Sequence, residues 1–163
     1  MHAIILTAGE GARLGSWTGN RPKGMIPIGN RPILDYLVRG VVSSGVKKIN
    51  MVVGYGKNSV MSYFGDGSSF GANISYFFQE ERTGTLEAMR IGMSDEVNEF
   101  LLVPGDNYVS GDSFSKIRVA KGLALLSGKA DRWSKWGEIE LEKGKPTITF
   151  DSPEAYQRIH FTG

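Results

Sequence analysis

The sequence predicts an α/β fold: a mostly parallel open sheet with helices on both faces, plus a C-terminal β-hairpin or antiparallel extension. Three observations carry this. Short apolar runs bounded by glycine recur along the chain, and stretches of helical periodicity lie between them. Near the C-terminus the pattern changes to polar–apolar alternation around Lys-Gly-Lys-Pro.

The elements follow in order. Ala3 to Thr7 (AIILT) is a short apolar run, as in a buried strand. Pro32 to Val46 starts with proline and sets Ile33, Leu34, Leu37, Val38, Val41 and Val42 on one helical face. Lys48 to Tyr55 is strand-like, Asn58 to Phe64 a short helix, and Asn73 to Gln79 rich in β-formers. Thr85 to Val97 has helical character, and Glu99 to Asp106 is a buried strand that ends in an acid. Gly137 to Phe150 is the expected hairpin. No linker or repeat interrupts the chain, so residues 1–163 are expected to form a single domain.

Composition narrows the function. With 19 lysines plus arginines and 17 aspartates plus glutamates, the net charge is +2, which gives no case for nucleic acid or a membrane surface. The chain has no cysteine and 2 histidines, which argues against thiolate or histidine-rich metal sites. No apolar run has the length of a membrane span, and a cytoplasmic protein is the default expectation.

The chemistry is expected in the loop after the first strand. Leu6 to Ile28 contains Gly9, Gly11, Gly15, Gly19 and Gly24, together with Arg13 and Lys23. In an open α/β sheet, ligands bind beyond the carboxyl ends of the strands. Glycine lets the backbone approach a ligand and aim N–H groups at phosphate oxygens. Arg13 can grip a phosphate with a planar fork, and Lys23 adds a movable point charge. This makes a polyphosphate cradle, although two familiar phosphate motifs fail. A dinucleotide fingerprint needs glycine where Leu14 stands, and a P-loop needs Gly-Lys-Ser/Thr where Lys23 precedes Gly24.

The full pattern, AGEGARLGSWTGNRPKGMIPIGNRPIL, resembles the signature of the sugar-phosphate nucleotidyltransferases, or NDP-sugar pyrophosphorylases. The matching positions are Gly9, Gly11, Arg13, Leu14, Thr18, Pro22, Lys23, Met25 and Pro27. The resemblance continues through VVGYGKNSVMSYFGDGSSFGANISYFFQE, GTLEAM, LLVPGDNYV and SKWGEIELEKGKPTITF.

This resemblance implies a Rossmann-like sheet and transfer of a nucleoside monophosphate from UTP or dTTP to a sugar 1-phosphate, with release of pyrophosphate and help from Mg²⁺. It implies catalytic roles for Arg13 on the departing phosphates and Lys23 at the α-phosphate. It implies a nucleotide-binding role for Leu6, Ala8, Gly9, Gly11, Gln79 and Gly84, with Gln79 and Gly84 at the base. Asp106 becomes the metal ligand, which suits an ion held by one or two carboxylates plus phosphates. The expected partners are a nucleoside triphosphate and a sugar 1-phosphate, without nucleic acid or membrane, and a homo-oligomer is compatible with the family.

Other residues have structural readings. Asp66 suits a tight Asp-Gly turn, and Trp133 and Trp136 suit packing. Departures from the family are also visible. Glu10 stands where glycine is usual, Ser16 near a usual proline, and Asp151 and Ser152 where the family has Glu and a sugar-phosphate lysine. The sequence stops before the family's second metal aspartate, so a domain lacking part of its sugar-binding half is expected. The alternative to an enzyme is a non-catalytic subunit that binds a nucleotide or NDP-sugar.

Overall fold

The computed structural model describes residues 1–11, 21–81, 84–94, 97 and 99–119, and the backbone of the strands at 137–142, 145–150 and 159–160. The chain forms two compact units, Met1–Arg118 and Val119–Gly163.

In the first unit, β1 (His2–Thr7) leads through a 3-10 turn at Lys23–Met25 to a small hairpin of β2 (Pro27–Ile28) and β3 (Arg31–Pro32). Then follow α1 (Ile33–Ser43), β4 (Lys48–Val53), α2 (Lys57–Phe64), β5 (Asn73–Phe78), α3 (Thr85–Gly92), β6 (Phe100–Pro104) and α4 (Gly111–Arg118). The four longer strands form a parallel sheet in the order β5-β4-β1-β6. In the second unit, β7 (Gly137–Glu142) and β8 (Lys145–Phe150) make the expected hairpin, and β9 (Ile159–His160) pairs with β8.

Alternation along β1 assigns its side chains to two cores. Ala3 and Ile5 pack with Leu34, Leu37, Val38 and Val41 of α1, with Val60 and Phe64 of α2, and with Phe114 of α4. Ile4 lies on the other face with Val52, Ala88 and Ile91, the last two from α3. The helices thus cover both faces. Burying each of these large aliphatic side chains contributes about 1.5–3 kcal/mol, which outweighs the modest helix propensity of the valines in α1.

Three features depart from the sequence expectation. First, α3 stops at Gly92 rather than running to Val97. A Cβ at Gly92 would lie 2.6 Å from Ile4 Cγ2, so the helix meets the sheet there without a side chain. Asn50 Nδ2 donates to the Gly92 carbonyl at 2.7 Å and satisfies an end-of-helix acceptor. Second, the β2–β3 hairpin and α4 have no counterpart in the periodicity reading: the hairpin strands are two residues each, and α4 buries one large side chain, Phe114.

Third, Asp35 on the apolar face of α1 is buried at 1% exposure. It is held by Arg39 Nε at 2.7 Å, by Arg31 Nη1 at 3.7 Å, and by the Tyr63 hydroxyl, which donates at 3.0 Å. These partners offset the desolvation that excludes most carboxylates from a core. Burial, together with the bond to Asp35, raises the Tyr63 phenol above its ordinary value.

Asp66 behaves as expected of a turn residue. Its carboxylate accepts from the Ser68 N–H at 2.9 Å, and Gly67 follows at φ 86°. Hydrogen bonds from Ser68, side chain first and then backbone, hold the Asp66 carboxyl below its usual value.

The Gly92 contact gives a direct test. Alanine there should gain about 1 kcal/mol of helix propensity and lose about 1–3 kcal/mol to overpacking against Ile4 and Val52. A net loss of about 1 kcal/mol in urea unfolding is the expected outcome for Gly92→Ala.

Candidate functional site

The chain leaves β1, returns as β4 on one side, and later adds β6 on the other. The crevice beyond the carboxyl ends of β1 and β6 is therefore a topological switch point, where open α/β sheets bind ligands. The Gly105 N–H donates to the Leu6 carbonyl at 2.8 Å and ties the two strand ends together.

The Lys23–Met25 turn rests on this junction. A Cβ at Gly24 would lie 2.7 Å from the Gly105 carbonyl oxygen, and one at Gly105 would lie 2.8 Å from the Leu6 carbonyl oxygen. Glycine at both positions lets three backbone segments meet without side chains between them. Thr7 Oγ1 is buried under this contact, and it has no hydrogen-bond partner among the described residues. Sequence reasoning did not single out Thr7, because a hydroxyl at a strand end carries no signal by itself.

Above the junction, Lys23 Nζ donates to Asp106 Oδ2 at 2.6 Å. The residues are 83 positions apart in sequence, and their side chains are 42% and 33% exposed. In such partial exposure the pair stabilises the fold by only about 0–1 kcal/mol. It does place a cation and a carboxylate at one point of the crevice. One carboxylate fits the manner in which Mg²⁺ binds beside substrate phosphates. Among the described residues there is no cluster of three or more carboxylate, histidine or cysteine ligands.

The other nucleotide-binding candidates lie along the same edge of the sheet. Ala8 and Gln79 both line a cavity of about 330 Å³ with Gly54, Tyr55, Lys57, Phe78 and Glu80. Backbone bonds build it: Tyr55 N–H donates to the Ala8 carbonyl at 3.2 Å, and Gln79 N–H to the Val53 carbonyl at 2.8 Å. A Cβ at Gly54 would lie 2.9 Å from the Gln79 carbonyl oxygen and 3.0 Å from Ala8 Cβ, so this floor also requires glycine. On the other side of Gln79, a second cavity of about 440 Å³ is lined by Glu80, Glu81, Leu86, Glu87 and Ile91.

Gly84, at φ 104°, opens α3 beside that second cavity, and its carbonyl accepts from the Ala88 N–H at 3.1 Å. Gly9 is exposed, with nothing within 4 Å of where a Cβ would stand, and Gly11 adopts φ 73°. The structure thus brings together Lys23 with Asp106, and Ala8 with Gln79. Arg13, Ser16, Trp133, Trp136, Asp151 and Ser152 lie outside the described residues. Lys57, Tyr55 and Phe78 are cavity residues that the sequence did not single out.

The two groups of residues are joined. A Cβ at Gly56 would lie 2.6 Å from Pro22 Cδ, so the residue before Lys23 packs directly on the loop before Lys57. Gly56 adopts φ 62°, a left-handed conformation that glycine takes without strain.

Comparison with known proteins places this architecture. The family model described as Nucleotidyl transferase matches residues 2–146. A "Bifunctional protein GlmU" of Methanococcus maripaludis is 37% identical over 141 residues, covering 86% of this chain and 33% of the relative. The "UTP--glucose-1-phosphate uridylyltransferase AglF" of Haloferax volcanii is 31% identical over 162 residues, covering 94% of this chain and 66% of the relative. A solved structure of UDP-glucose pyrophosphorylase with UDP-glucose shares the fold at a TM-score of 0.66 and 23% identity, over 91% of this chain and 66% of that one. The chain thus spans about a third of the GlmU relative and about two thirds of AglF. With its parallel sheet, its glycine-built junction and a family match over nearly its whole length, the chain belongs to the nucleotidyl transferase family.

Proposed function

We propose that the chain carries the nucleotide site of an enzyme that transfers a nucleoside monophosphate from UTP or dTTP to a sugar 1-phosphate. The observation that carries this reading is the Lys23–Asp106 pair, held at 2.6 Å over the Gly24–Gly105 contact at the switch point. It supplies a cation and a metal-binding carboxylate where the phosphates of a nucleotide would lie. The base would lie in the cavity of Ala8 and Gln79, whose far wall at the β5 end is two strands from β1. Strands stand about 4.8 Å apart, so that far wall lies roughly 10 Å from the β1 end, which suits a nucleotide lying across the strand ends.

The reaction needs positioning and charge neutralisation more than a protein nucleophile. An oxygen of the sugar 1-phosphate attacks the α-phosphorus. The bond from that phosphorus to the bridging oxygen breaks, and pyrophosphate leaves with the electron pair. Lys23 exchanges Asp106 for the α-phosphate oxygens as the nucleotide loads, and Arg13 holds the departing β- and γ-phosphates. Asp106 would hold Mg²⁺, which when bound neutralises phosphate charge. The glycines of the loop bring backbone N–H groups to the phosphates.

A second reading, a nucleotide- or NDP-sugar-binding subunit without turnover, is favoured by Ser152, which stands where the resemblance places a sugar-phosphate lysine. A hydroxyl offers a neutral hydrogen bond in place of a full charge against a dianion.

Four results test these readings. Arg13→Ala should weaken UTP or dTTP binding in calorimetric titration while leaving the unfolding midpoint in place, and equal affinity would remove Arg13 from the site. Asp106→Asn should abolish the Mg²⁺ dependence of nucleotide binding and change stability by less than about 1 kcal/mol; an unchanged Mg²⁺ response would leave Asp106 only its ion pair with Lys23. Ser152→Lys should tighten glucose 1-phosphate binding by about 10–100-fold, the equivalent of one charge-assisted hydrogen bond. Pyrophosphate release at ordinary rates by the unmodified chain, roughly 1–10³ per second, would exclude the non-catalytic reading.

A further inference from the structure

The base cavity contains a cation for which the phosphate chemistry has no use. Lys57 is the first residue of α2, directly after Gly56 in the left-handed conformation. A cation at a helix N-terminus opposes the helix dipole, whose positive end lies there. Its place in the fold therefore has a local cost and needs another source of support. That support is the Phe78 ring: Lys57 Nζ stands 4.9 Å from the ring centroid, within cation–π range. The ring is itself 48% exposed, on the last residue of β5 and next to Gln79. The ring steadies one side of the ammonium and leaves N–H donors directed elsewhere.

Lys57, Gln79 and Glu80 line the same cavity. Their hydrogen-bonding capacities differ in kind: an ammonium only donates, a carboxylate only accepts, and an amide does both. Uracil and thymine present an edge of carbonyl, N–H and carbonyl, which needs a donor, an acceptor and a donor. Cytosine presents an amino group in place of the first carbonyl and an unprotonated ring nitrogen in place of the N–H. A donor-only lysine opposite that amino group leaves both unpaired, and unpaired polar groups in a site weaken binding more than a missing contact does.

We propose that Lys57, braced by Phe78, selects the base by donating to the 4-carbonyl of uracil or thymine, so that the cavity takes these bases and rejects cytosine, which carries an amino group at that position. This rests on the nucleotide reading above and deepens it: Gln79 alone, able to rotate its amide, does not distinguish the two edges. The contact of Pro22 with Gly56 places this selection on the loop that packs against the Lys23 turn.

The test uses the 163-residue chain with Mg²⁺ and two probes that differ in the base edge, UTP and CTP. Titration calorimetry should show the parent chain preferring UTP by about tenfold or more, the scale of one charge-assisted hydrogen bond. Lys57→Met keeps length and removes every donor, so it should lose UTP affinity and bring the two nucleotides within about threefold. Lys57→Arg, which keeps donors, should retain the preference. Because Lys57 is exposed, both variants should unfold at the parent temperature. Parent UTP binding with an unchanged UTP-to-CTP ratio in Lys57→Met, or equal binding of both by the parent, would overturn the role of Lys57 alone. Failure of the parent to bind any nucleotide would overturn the nucleotide reading and this inference with it.

Discussion

The close approach of three backbone segments at Leu6, Gly24 and Gly105 is the constraint on which the site depends. A side chain at Gly24 or Gly105 would enter space occupied by a carbonyl oxygen, at 2.7 Å or 2.8 Å. The Lys23 turn sits low on the strand ends only because both are glycine. That height brings Lys23 Nζ to Asp106, a residue of the β6 end that lies far away in sequence. The ion pair is a consequence of the packing below it. At its exposure it contributes little to stability, and it holds a cation and a carboxylate at one point of the strand ends.

The same principle is repeated at the end of the neighbouring strand, β4. Gly54 allows Ala8 and Gln79 to flank a common floor, and Gly56 allows Pro22 to lie against the loop before α2. Glycine thus acts in this fold mainly by omission. The strand ends can be packed closely enough for a ligand to be met by backbone from several strands at once. Lys23, Asp106, Lys57, Gln79 and Glu80 stand around these strand ends. The core beneath is conventional: two apolar layers, one against α1, α2 and α4, the other against α3. It supplies the stability that a glycine-rich rim does not.

How much was legible from sequence differs between elements for physical reasons. The four parallel strands and α1 are visible because burial on both sheet faces demands continuous apolar runs, and a helix on that sheet demands a 3.6-residue period. The end of α3 was not visible, because it is fixed by a contact with Ile4 and a hydrogen bond from Asn50, both remote in sequence. Nor was α4, where one phenylalanine is a weak periodic signal. Asp35 is instructive in the same way. Its burial depends on Arg31, Arg39 and Tyr63 arriving together, and no local pattern announces that.

For the candidate site, the sequence by itself determined the chemical types: a glycine-rich loop with Lys23 after the first strand, an acid at the end of a later one, and a glutamine after β5. Those follow from local order, because strand ends and loops are written in consecutive residues. Tertiary structure alone decided which of them meet. The strand order β5-β4-β1-β6 puts Asp106 beside Lys23 and Gln79 beside Ala8. It also brings Lys57 onto Phe78, both of which line the cavity. Parallel strands pair across long connections, so their neighbours are chosen by packing of the helices between them, and no spacing within the sequence records that choice.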